Sequence, residues 1–419
     1  MDRAVDYEEA MNDAEVPIRE GVADDWPAIN KLLSQVFHHE NDPAASDVER
    51  SVFEPDRSLV ADDGGVVVGH AAAYTRDLTV PGSVLPAAHV TLVGVAPTHR
   101  RRGLLTRMIH RQLHEIRAAG REPIAALWAS EGKIYPRYGY GRAADRIELD
   151  IATLEVRPPI AASAGRVRLV EPLDAHQHFA KVYETLRPER PGWSGRDERW
   201  WRFVLADVPS RRQGGTELHA AVHETLDGPT GYAVWRTESA WTGGGPAGTV
   251  RVRELVAADL QAYAALWRFL LSIDLARTVT FNFATPDEPL LNLVDEPRRL
   301  GGVLTDSLWI RLVDLPRALT ARRYAAPVDV VLQVHDPLLE GNSGRWRLTG
   351  GPDGAACTPT DTPADLGCTV LELGAAYLGG TSLAALADAG RVRELTPGSL
   401  APAATAFGWH RSPGAIEVF

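Results

Sequence analysis

Apolar positions in the first third of the chain recur with two different periods. Helical spacing, in which every third or fourth residue is apolar, runs through residues 29–37 and 105–116. Strand-like apolar runs lie at 59–61, 66–74, 89–95 and 123–129. The last run is almost unbroken, as in a strand that is covered on both faces. This order predicts a compact mixed α/β domain over residues 1–157.

A similar order of patterns begins again near residue 167. The strand and helix patterns of this second unit lie at 167–170, 179–186, 231–236, 249–255 and 260–273. The middle of the chain, residues 158–303, therefore reads as a diverged copy of the first unit. Its turn at 256–259 has neither the glycine nor the arginines of the corresponding first turn, so it cannot cradle a phosphate in the same way.

The last segment, residues 304–419, has shorter patterns separated by proline- and glycine-rich turns. Its strand and helix candidates lie at 328–334, 345–348, 373–377 and 383–389. They predict an α+β unit with no catalytic signature of its own. The total of 419 residues agrees with two to three domains.

Composition narrows the class of protein. Hydrophobic residues make up 45% and charged residues 24% of the chain, which is usual for a globular protein. Cys357 and Cys368 are the two cysteines, so a disulfide framework and a multi-cysteine metal site are excluded. We expect no metal. The net charge of -11 argues against nucleic acid and anionic membranes as partners and suits a cationic substrate.

Two further features predict a cytoplasmic protein. No apolar stretch approaches the length of a transmembrane helix. The start, MDRAVDYEEAMNDAEV, is acidic where a signal peptide would be basic and then apolar.

The most informative stretch joins the strand at 89–95 to the helix that follows it. Its residues are Val93, Gly94, Val95, Arg100, Arg101, Arg102, Gly103, Leu104, Leu105 and Thr106. The N–H groups at a helix start bind phosphates, a glycine permits close approach of the backbone, and arginines pair with phosphate oxygens. This pattern predicts a pyrophosphate site. The alternative is a solvated basic turn that caps the helix.

This turn, Arg-x-x-Gly after a strand, resembles the coenzyme A loop of the GNAT acetyltransferases. The longer string VAPTHRRRGLL resembles the Eis (enhanced intracellular survival) branch of that superfamily, as do ASEGKIYPRYGYG, GRWRL and the aromatic residue Phe419 at the end. The resemblance covers the whole chain. It implies tandem GNAT domains, of which the second has lost its cofactor loop, followed by a domain similar to sterol carrier proteins.

The resemblance also implies roles for individual residues. Tyr135 would donate a proton to the coenzyme A thiolate, although Tyr138 and Tyr140 compete for this role on spacing alone. The α-carboxylate of Phe419 would accept the proton of the amine through water. The backbone N–H of Val95 would polarise the thioester carbonyl. Further expected contacts are Ser130 and Glu131 to coenzyme A, and Phe37, His39 and Trp128 to the substrate.

The activity that the resemblance implies is acetyl transfer from acetyl-CoA to primary amines of polycationic small molecules, with aminoglycosides as the substrate class and a homohexamer as the assembly. Two alternatives remain open at this point. One is a protein lysine or peptide-amine acetyltransferase. The other is a non-catalytic lipid-binding or interaction protein that uses the C-terminal domain.

Overall fold

The computed structural model describes residues 16–157 and 165–419. The acidic start of the chain and the residues directly after the predicted boundary at 157 lie outside this range. Elements are numbered in chain order within the described part. Those of the first unit are β1 (Ile18–Glu20), α1 (Trp26–Phe37), α2 (Pro43–Arg50), β2 (Ser58–Asp63), β3 (Val66–Val80), β4 (Ser83–Val95), α3 (Leu104–Ala119), β5 (Ile124–Trp128), β6 (Gly141–Arg142) and β7 (Asp145–Ala152).

The middle of the chain repeats the arrangement of hairpin, helix and strand. Its elements are β8 (Arg166–Val170), α4 (His176–Leu186), α5 (Glu198–Leu205), β9 (His219–Thr225), β10 (Gly228–Glu238), β11 (Trp241–Thr242), β12 (Gly245–Pro246), β13 (Gly248–Ala257), α6 (Leu260–Leu271), β14 (Ala276–Ala284), α7 (Leu290–Leu293) and β15 (Val303–Asp306).

The last segment contains shorter helices around a smaller sheet. Its elements are β16 (Leu308–Leu312), α8 (Leu315–Ala321), β17 (Val328–His335), β18 (Gly344–Gly351), β19 (Gly354–Pro359), β20 (Leu366–Thr369), α9 (Val370–Ala376), α10 (Leu383–Asp388), β21 (Arg393–Glu394) and α11 (Leu400–Phe407). Both cysteines in this segment are free thiols.

Within the described residues, the strands form two large sheets and two smaller ones. The first sheet has the order β1-β2-β3-β4-β5-β16-β6, the second β15-β7-β14-β13-β10-β9-β8, and the third β19-β18-β17-β20-β21. β11 and β12 form a separate two-stranded hairpin. The fold is therefore mixed α/β, as the pattern predicted.

The first two sheets do not divide where the predicted sequence segments divide. β7 belongs to the first segment but pairs with β14 and β15 in the second sheet. β16 belongs to the third segment but pairs antiparallel with β5 in the first sheet, with Leu308 opposite Trp128 and Leu312 opposite Ile124. The boundaries at 157 and 303 remain predictions, whereas the sheets exchange strands across them.

β3 and β4 extend beyond the apolar runs at 66–74 and 89–95 and form one long hairpin. Its two strands turn at Pro81 and Gly82, and they pair continuously from Val80 and Ser83 back to Tyr74 and His89. Gly82 has φ 65°, a conformation that favours glycine. This extension places Arg76 and Asp77 beside the second unit, where they contact Gly195.

No helix within residues 16–157 and 165–419 has the length and apolar character needed to cross a membrane. The same residues contain no group of three or more His, Cys, Asp or Glu side chains that could hold a metal ion.

Candidate active site

The central strands of the first sheet separate and open a gap. β4 and β5 are parallel and pair from Ala87 opposite Ile124 to His89 opposite Ala126. Beyond that point β4 continues to Val95 and bends, because a bulge interrupts its pairing with β3 at Leu92, which has φ 52°. A bulge turns the strand that carries it away from its neighbour. The bend therefore leaves a space between the two strands.

The turn after β4 has the backbone that an anion site requires. Gly103 has φ 76° and directly precedes α3, and a Cβ at this position would meet no described atom within 4 Å. Arg101 also has a positive φ of 65°, which costs a non-glycine residue on the order of 1 kcal/mol. The side chains of Arg100, Arg101 and Arg102 are exposed. These features fit the phosphates of coenzyme A.

The corresponding turn of the second unit is closed to a phosphate. Asp259 is the N-cap of α6, and its carboxylate accepts a hydrogen bond of 2.8 Å from the N–H of Ala262. A carboxylate already occupies the position that an anion would take at this helix start. The start of α6 is therefore already capped by a side chain of the protein itself.

A cavity of about 370 Å³ lies at the mouth of the gap between β4 and β5. It brings together candidate site residues that lie far apart in the sequence. These are Phe37, Val93, Trp128, Ser130, Tyr135 and Phe419. Glu49, Tyr74 and Phe203 also line it, and nothing in the sequence pattern marked them.

The structure distinguishes the three tyrosines of IYPRYGYG. Tyr135 lines the cavity beside Ser130 and Phe419. The hydroxyl of Tyr138 lies 3.1 Å from Oγ1 of Thr106. Tyr140 is fully buried. Of the three, Tyr135 is thus the one placed for a reaction in this cavity.

The environment of Tyr135 keeps its phenol protonated. Its side chain is 5% exposed, and burial raises its pKa to about 12, with Ser130 acting in the opposite direction. A group with this pKa holds its proton throughout the neutral range. Tyr135 can therefore act as a proton donor and not as a base.

The last two residues of the chain form part of the cavity wall. Val418 and Phe419 line it, and the ring of Phe419 packs edge-on against His89, with 4.5 Å between ring centroids. His89 is fully buried, and burial lowers its pKa to about 3. The surface below Phe419 is therefore a neutral imidazole.

A buried ion cluster anchors the chain just before its end. We call Glu417, Arg76, Arg196 and Glu254 the tail clamp. Glu417 lies 2.5 Å from Nη2 of Arg76 and 2.8 Å from Nη2 of Arg196. Arg196 also contacts Glu254 at 2.8 Å, and the guanidinium of Arg76 stacks on Trp200 at 3.8 Å. Although burial alone would raise the pKa of Glu417, the two arginines lower it below its usual value.

His39 lies outside the cavity that holds Tyr135. It is exposed and lines a neighbouring cavity of about 540 Å³, together with Glu40 and Asp42. The two cavities share Glu49, Phe203 and Val418 in their linings. The expected contact of His39 with a substrate therefore requires a substrate that extends from one cavity into the other.

Other candidate residues lie outside the lining of the cavity that contains Tyr135. Gly94 and Val95 end β4 opposite His70 and Gly69. Leu104 and Leu105 are the first two residues of α3. Leu104 is 2% exposed, so its side chain belongs to the core, and Leu105 is partly buried. Glu131 is exposed, and its carbonyl accepts a hydrogen bond of 3.1 Å from Ile134.

Comparisons with known proteins agree with this geometry. Residues 17–143 match a family model described as an acetyltransferase (GNAT) domain. Residues 192–312 match a second model with that description. Residues 315–415 match a sterol carrier protein domain. The fold and the site therefore define an N-acetyltransferase of the GNAT superfamily with a sterol-carrier-like C-terminal domain.

Individual relatives show to which family of this superfamily the chain belongs. The N-acetyltransferase Eis of Mycobacterium tuberculosis is 36% identical and aligns with 88% of this chain and 91% of its own length. An uncharacterized N-acetyltransferase of Streptomyces avermitilis is 45% identical over 92% of this chain and 95% of its own. The crystal structure of Eis1 from Mycobacterium abscessus superimposes with a TM-score of 0.83 at 32% identity, covering 96% of this chain and 100% of that one. The chain belongs to the Eis family of GNAT N-acetyltransferases.

Weakening the tail clamp tests whether it positions the end of the chain. We expect Glu417→Gln to lower the free energy of unfolding by about 2 kcal/mol, because charge-assisted hydrogen bonds to two guanidinium groups are weakened. We expect acetyl-transfer turnover to fall roughly tenfold, with the KM for acetyl-CoA unchanged. Chemical denaturation and steady-state kinetics measure the two effects.

Glu122→Gln is the matched control, because Glu122 forms another buried ion pair, with Arg57 at 2.8 Å. It should lower stability without a comparable loss of turnover. Equal turnover losses in both variants would show that the clamp acts through stability alone.

Proposed function

We propose that this N-acetyltransferase uses acetyl-CoA to acetylate primary amines of polycationic small molecules, with aminoglycosides as the substrate class. The observation that carries the proposal is the cavity between β4 and β5. Tyr135, which is protonated, and Phe419, at the end of the chain, both line this cavity. Proton donation and proton acceptance are the two transfers that this reaction needs.

The first unit supplies the groups that would hold acetyl-CoA. The turn containing Arg100, Arg101, Arg102 and Gly103 would bind its phosphates, together with the first N–H groups of α3. The gap between the strands would take the extended arm, with Ser130 and Glu131 at its far side. Bound acetyl-CoA would supply the thioester carbonyl and the thiolate leaving group. The N–H of Val95 would donate to that carbonyl oxygen and stabilise its developing charge.

Tyr135 and Phe419 would then act on opposite sides of the reaction. The phenol of Tyr135 donates its proton toward the departing sulfur. The α-carboxylate of Phe419 has a reference pKa of about 3.5, so it is a weak base toward an ammonium group. Acceptance of the proton through a water molecule, together with attraction of the cationic substrate, is the role that this pKa favours.

Charges in the two connected cavities support a polycationic substrate. The cavity of about 540 Å³ that contains His39 is lined by three carboxylates, Glu40, Asp42 and Glu49, and by two arginines, Arg211 and Arg253. Arg211 is paired with Glu49 at 2.9 Å, and burial lowers the pKa of Arg253 to about 10. A molecule with several ammonium groups can place one beside Phe419 and others beside these carboxylates. A single amine cannot use both positions.

Competition between substrates tests this proposal. We expect an aminoglycoside to have a kcat/KM roughly 5- to 30-fold higher than that of a lysine-containing peptide, because two partly screened ion pairs each add about 0.5–1 kcal/mol of binding. Thiol release from acetyl-CoA measures both rates. A higher kcat/KM for the peptide would favour protein or peptide acetylation instead.

The proposal also includes an oligomeric state and a cellular compartment. Membership of the Eis family supports a homohexamer in the cytoplasm. Measurement of the mass of the assembly in solution would test the oligomeric state.

A further inference from the structure

The second unit contains a gap that corresponds to the active-site gap of the first. β13 and β14 are parallel and pair from Gly248 opposite Ala276 to Val252 opposite Phe281. β13 then continues to Ala257 and β14 to Ala284. A cavity of about 340 Å³ lies where these strands separate. We call it the second cleft.

The second cleft is not a second acetyl-CoA site, because the carboxylate of Asp259 caps the adjacent helix start. Its size nevertheless falls within the range of small-molecule sites. Aromatic rings form much of its wall. They belong to Trp193, Tyr263, Phe281 and Phe283.

A buried carboxylate lies among these rings. Glu288 is 8% exposed and accepts a hydrogen bond from the hydroxyl of Tyr263. The same hydroxyl accepts a bond of 3.1 Å from the N–H of Leu290, so the tyrosine is held in place. Burial raises the pKa of Glu288 to about 7, while Tyr263 and Arg190 act in the opposite direction. A carboxylate in this state gains from a cation beside it.

Charges around the second cleft also favour a cation. Glu189 and Asp259 line it in addition to Glu288. Arg190, on the same wall, is paired with Asp287 at 2.7 Å, so its charge is largely balanced. Arg411 is exposed. The carboxylates thus outnumber the arginines in the lining.

We propose that the second cleft binds a small organic cation with an apolar body, with the cationic group beside Glu288 and the body among the aromatic rings. Aromatic faces attract alkylammonium groups, and the carboxylate supplies the opposite charge. This site goes beyond acetyl transfer and requires neither acetyl-CoA nor an acceptor amine.

An occupant of the second cleft would contact the segment that leads to the active site. Ala415 and Ile416 line the second cleft, whereas Val418 and Phe419 line the first cavity. Phe283 of the second cleft also packs edge-on against Trp128 of the first cavity, at 6.1 Å between centroids. The two sites are therefore neighbours, and residues 415–419 run from the lining of one to the lining of the other.

Benzyltrimethylammonium is the probe for the second cleft. Its nitrogen carries four carbon substituents and cannot accept an acetyl group, so binding is measured without turnover. We expect isothermal titration calorimetry on the full chain to detect binding that Glu288→Gln weakens at least tenfold. Leu260→Arg, at a lining residue that is 56% exposed, should weaken binding similarly by adding a positive charge, with little risk to folding.

Two controls make the test specific. Glu49→Gln removes a carboxylate from the cavities of the first unit and should leave the Glu288-dependent binding in place. Benzyl alcohol, which is neutral, should bind at least tenfold more weakly than the cation. The proposal is overturned by the absence of binding, by equal affinity for benzyl alcohol, or by sensitivity to Glu49→Gln but not to Leu260→Arg. Each of these results would leave the acetyl-transfer proposal unaffected.

Discussion

Removal of Phe419 is expected to lower the turnover of acetyl transfer about 10²- to 10³-fold, which is the range for loss of a positioned proton acceptor. The tail clamp would still hold Glu417, but the new terminal carboxylate on Val418 would lie about one residue, roughly 3.3 Å, short of the present one. The ring that packs on His89 at 4.5 Å would also be lost. Amine-dependent thiol release from acetyl-CoA measures the effect.

Two variants separate the carboxylate of Phe419 from its ring. One extra alanine after Phe419 keeps the ring but converts the carboxylate into an amide, and we expect a turnover loss similar to that of the deletion. Phe419→Leu keeps the carboxylate and an apolar side chain, and most of the activity should remain. Full activity of the extended chain would rule out the terminal carboxylate as the proton acceptor.

Replacement of Tyr135 by phenylalanine is expected to lower kcat about 10²-fold with little change in the KM for acetyl-CoA. The variant removes the hydroxyl that we propose as the proton donor and keeps the ring that packs in the cavity. Because burial raises the pKa of Tyr135 to about 12, the donor stays protonated as the pH rises. The wild-type rate should therefore increase with pH as the acceptor amine loses its proton, and should not fall before about pH 11.

Tyr138→Phe is the matched control for this variant, because the Tyr138 hydroxyl contacts Thr106 and lies outside the cavity lining. Its kcat should stay within about twofold of the wild-type value. Arg101→Ala provides the complementary pattern, with a raised KM for acetyl-CoA and a nearly unchanged kcat. A similar loss of kcat in both tyrosine variants would show that Tyr135 has no special role.

The turn between β4 and α3 could be predicted from sequence because its signals are local. A strand, an arginine-rich turn, Gly103 and an amphipathic helix follow one another within about thirty residues, and each has its own periodicity or backbone preference. The structure has β4, the turn and α3 in that order. The sequence of the second unit has no such turn before α6, and in the structure the carboxylate of Asp259 caps that helix start.

Strand exchange between the sheets could not be predicted in this way. Trp128 pairs with Leu308, and Leu149 pairs with Phe281. Each strand has an ordinary apolar pattern, and that pattern does not specify a partner so far along the chain. The sequence pattern therefore predicted three consecutive segments, whereas in the structure β7 and β16 each pair in the sheet of a different segment.

The sequence pattern also could not predict which tyrosine lines the cavity or which residues form the tail clamp. Tyr135, Tyr138 and Tyr140 are chemically identical and close in sequence, so spacing left them as alternatives. Arg76, Arg196 and Glu417 are each common charged residues, and their contact depends on the β3–β4 hairpin meeting the second unit.

The sequence by itself determined the order of the elements, the turn between β4 and α3 and the family, because these depend on local periodicity, local backbone preference and motifs within short segments. The tertiary structure alone decided which tyrosine lines the first cavity, how Glu417 holds Val418 and Phe419 beside it, and that the second unit contains a cleft with a buried carboxylate. Those features arise from packing between separate segments of the chain, from 25 positions apart for Tyr263 and Glu288 to 341 positions for Arg76 and Glu417, and each depends on burial that no single segment can provide.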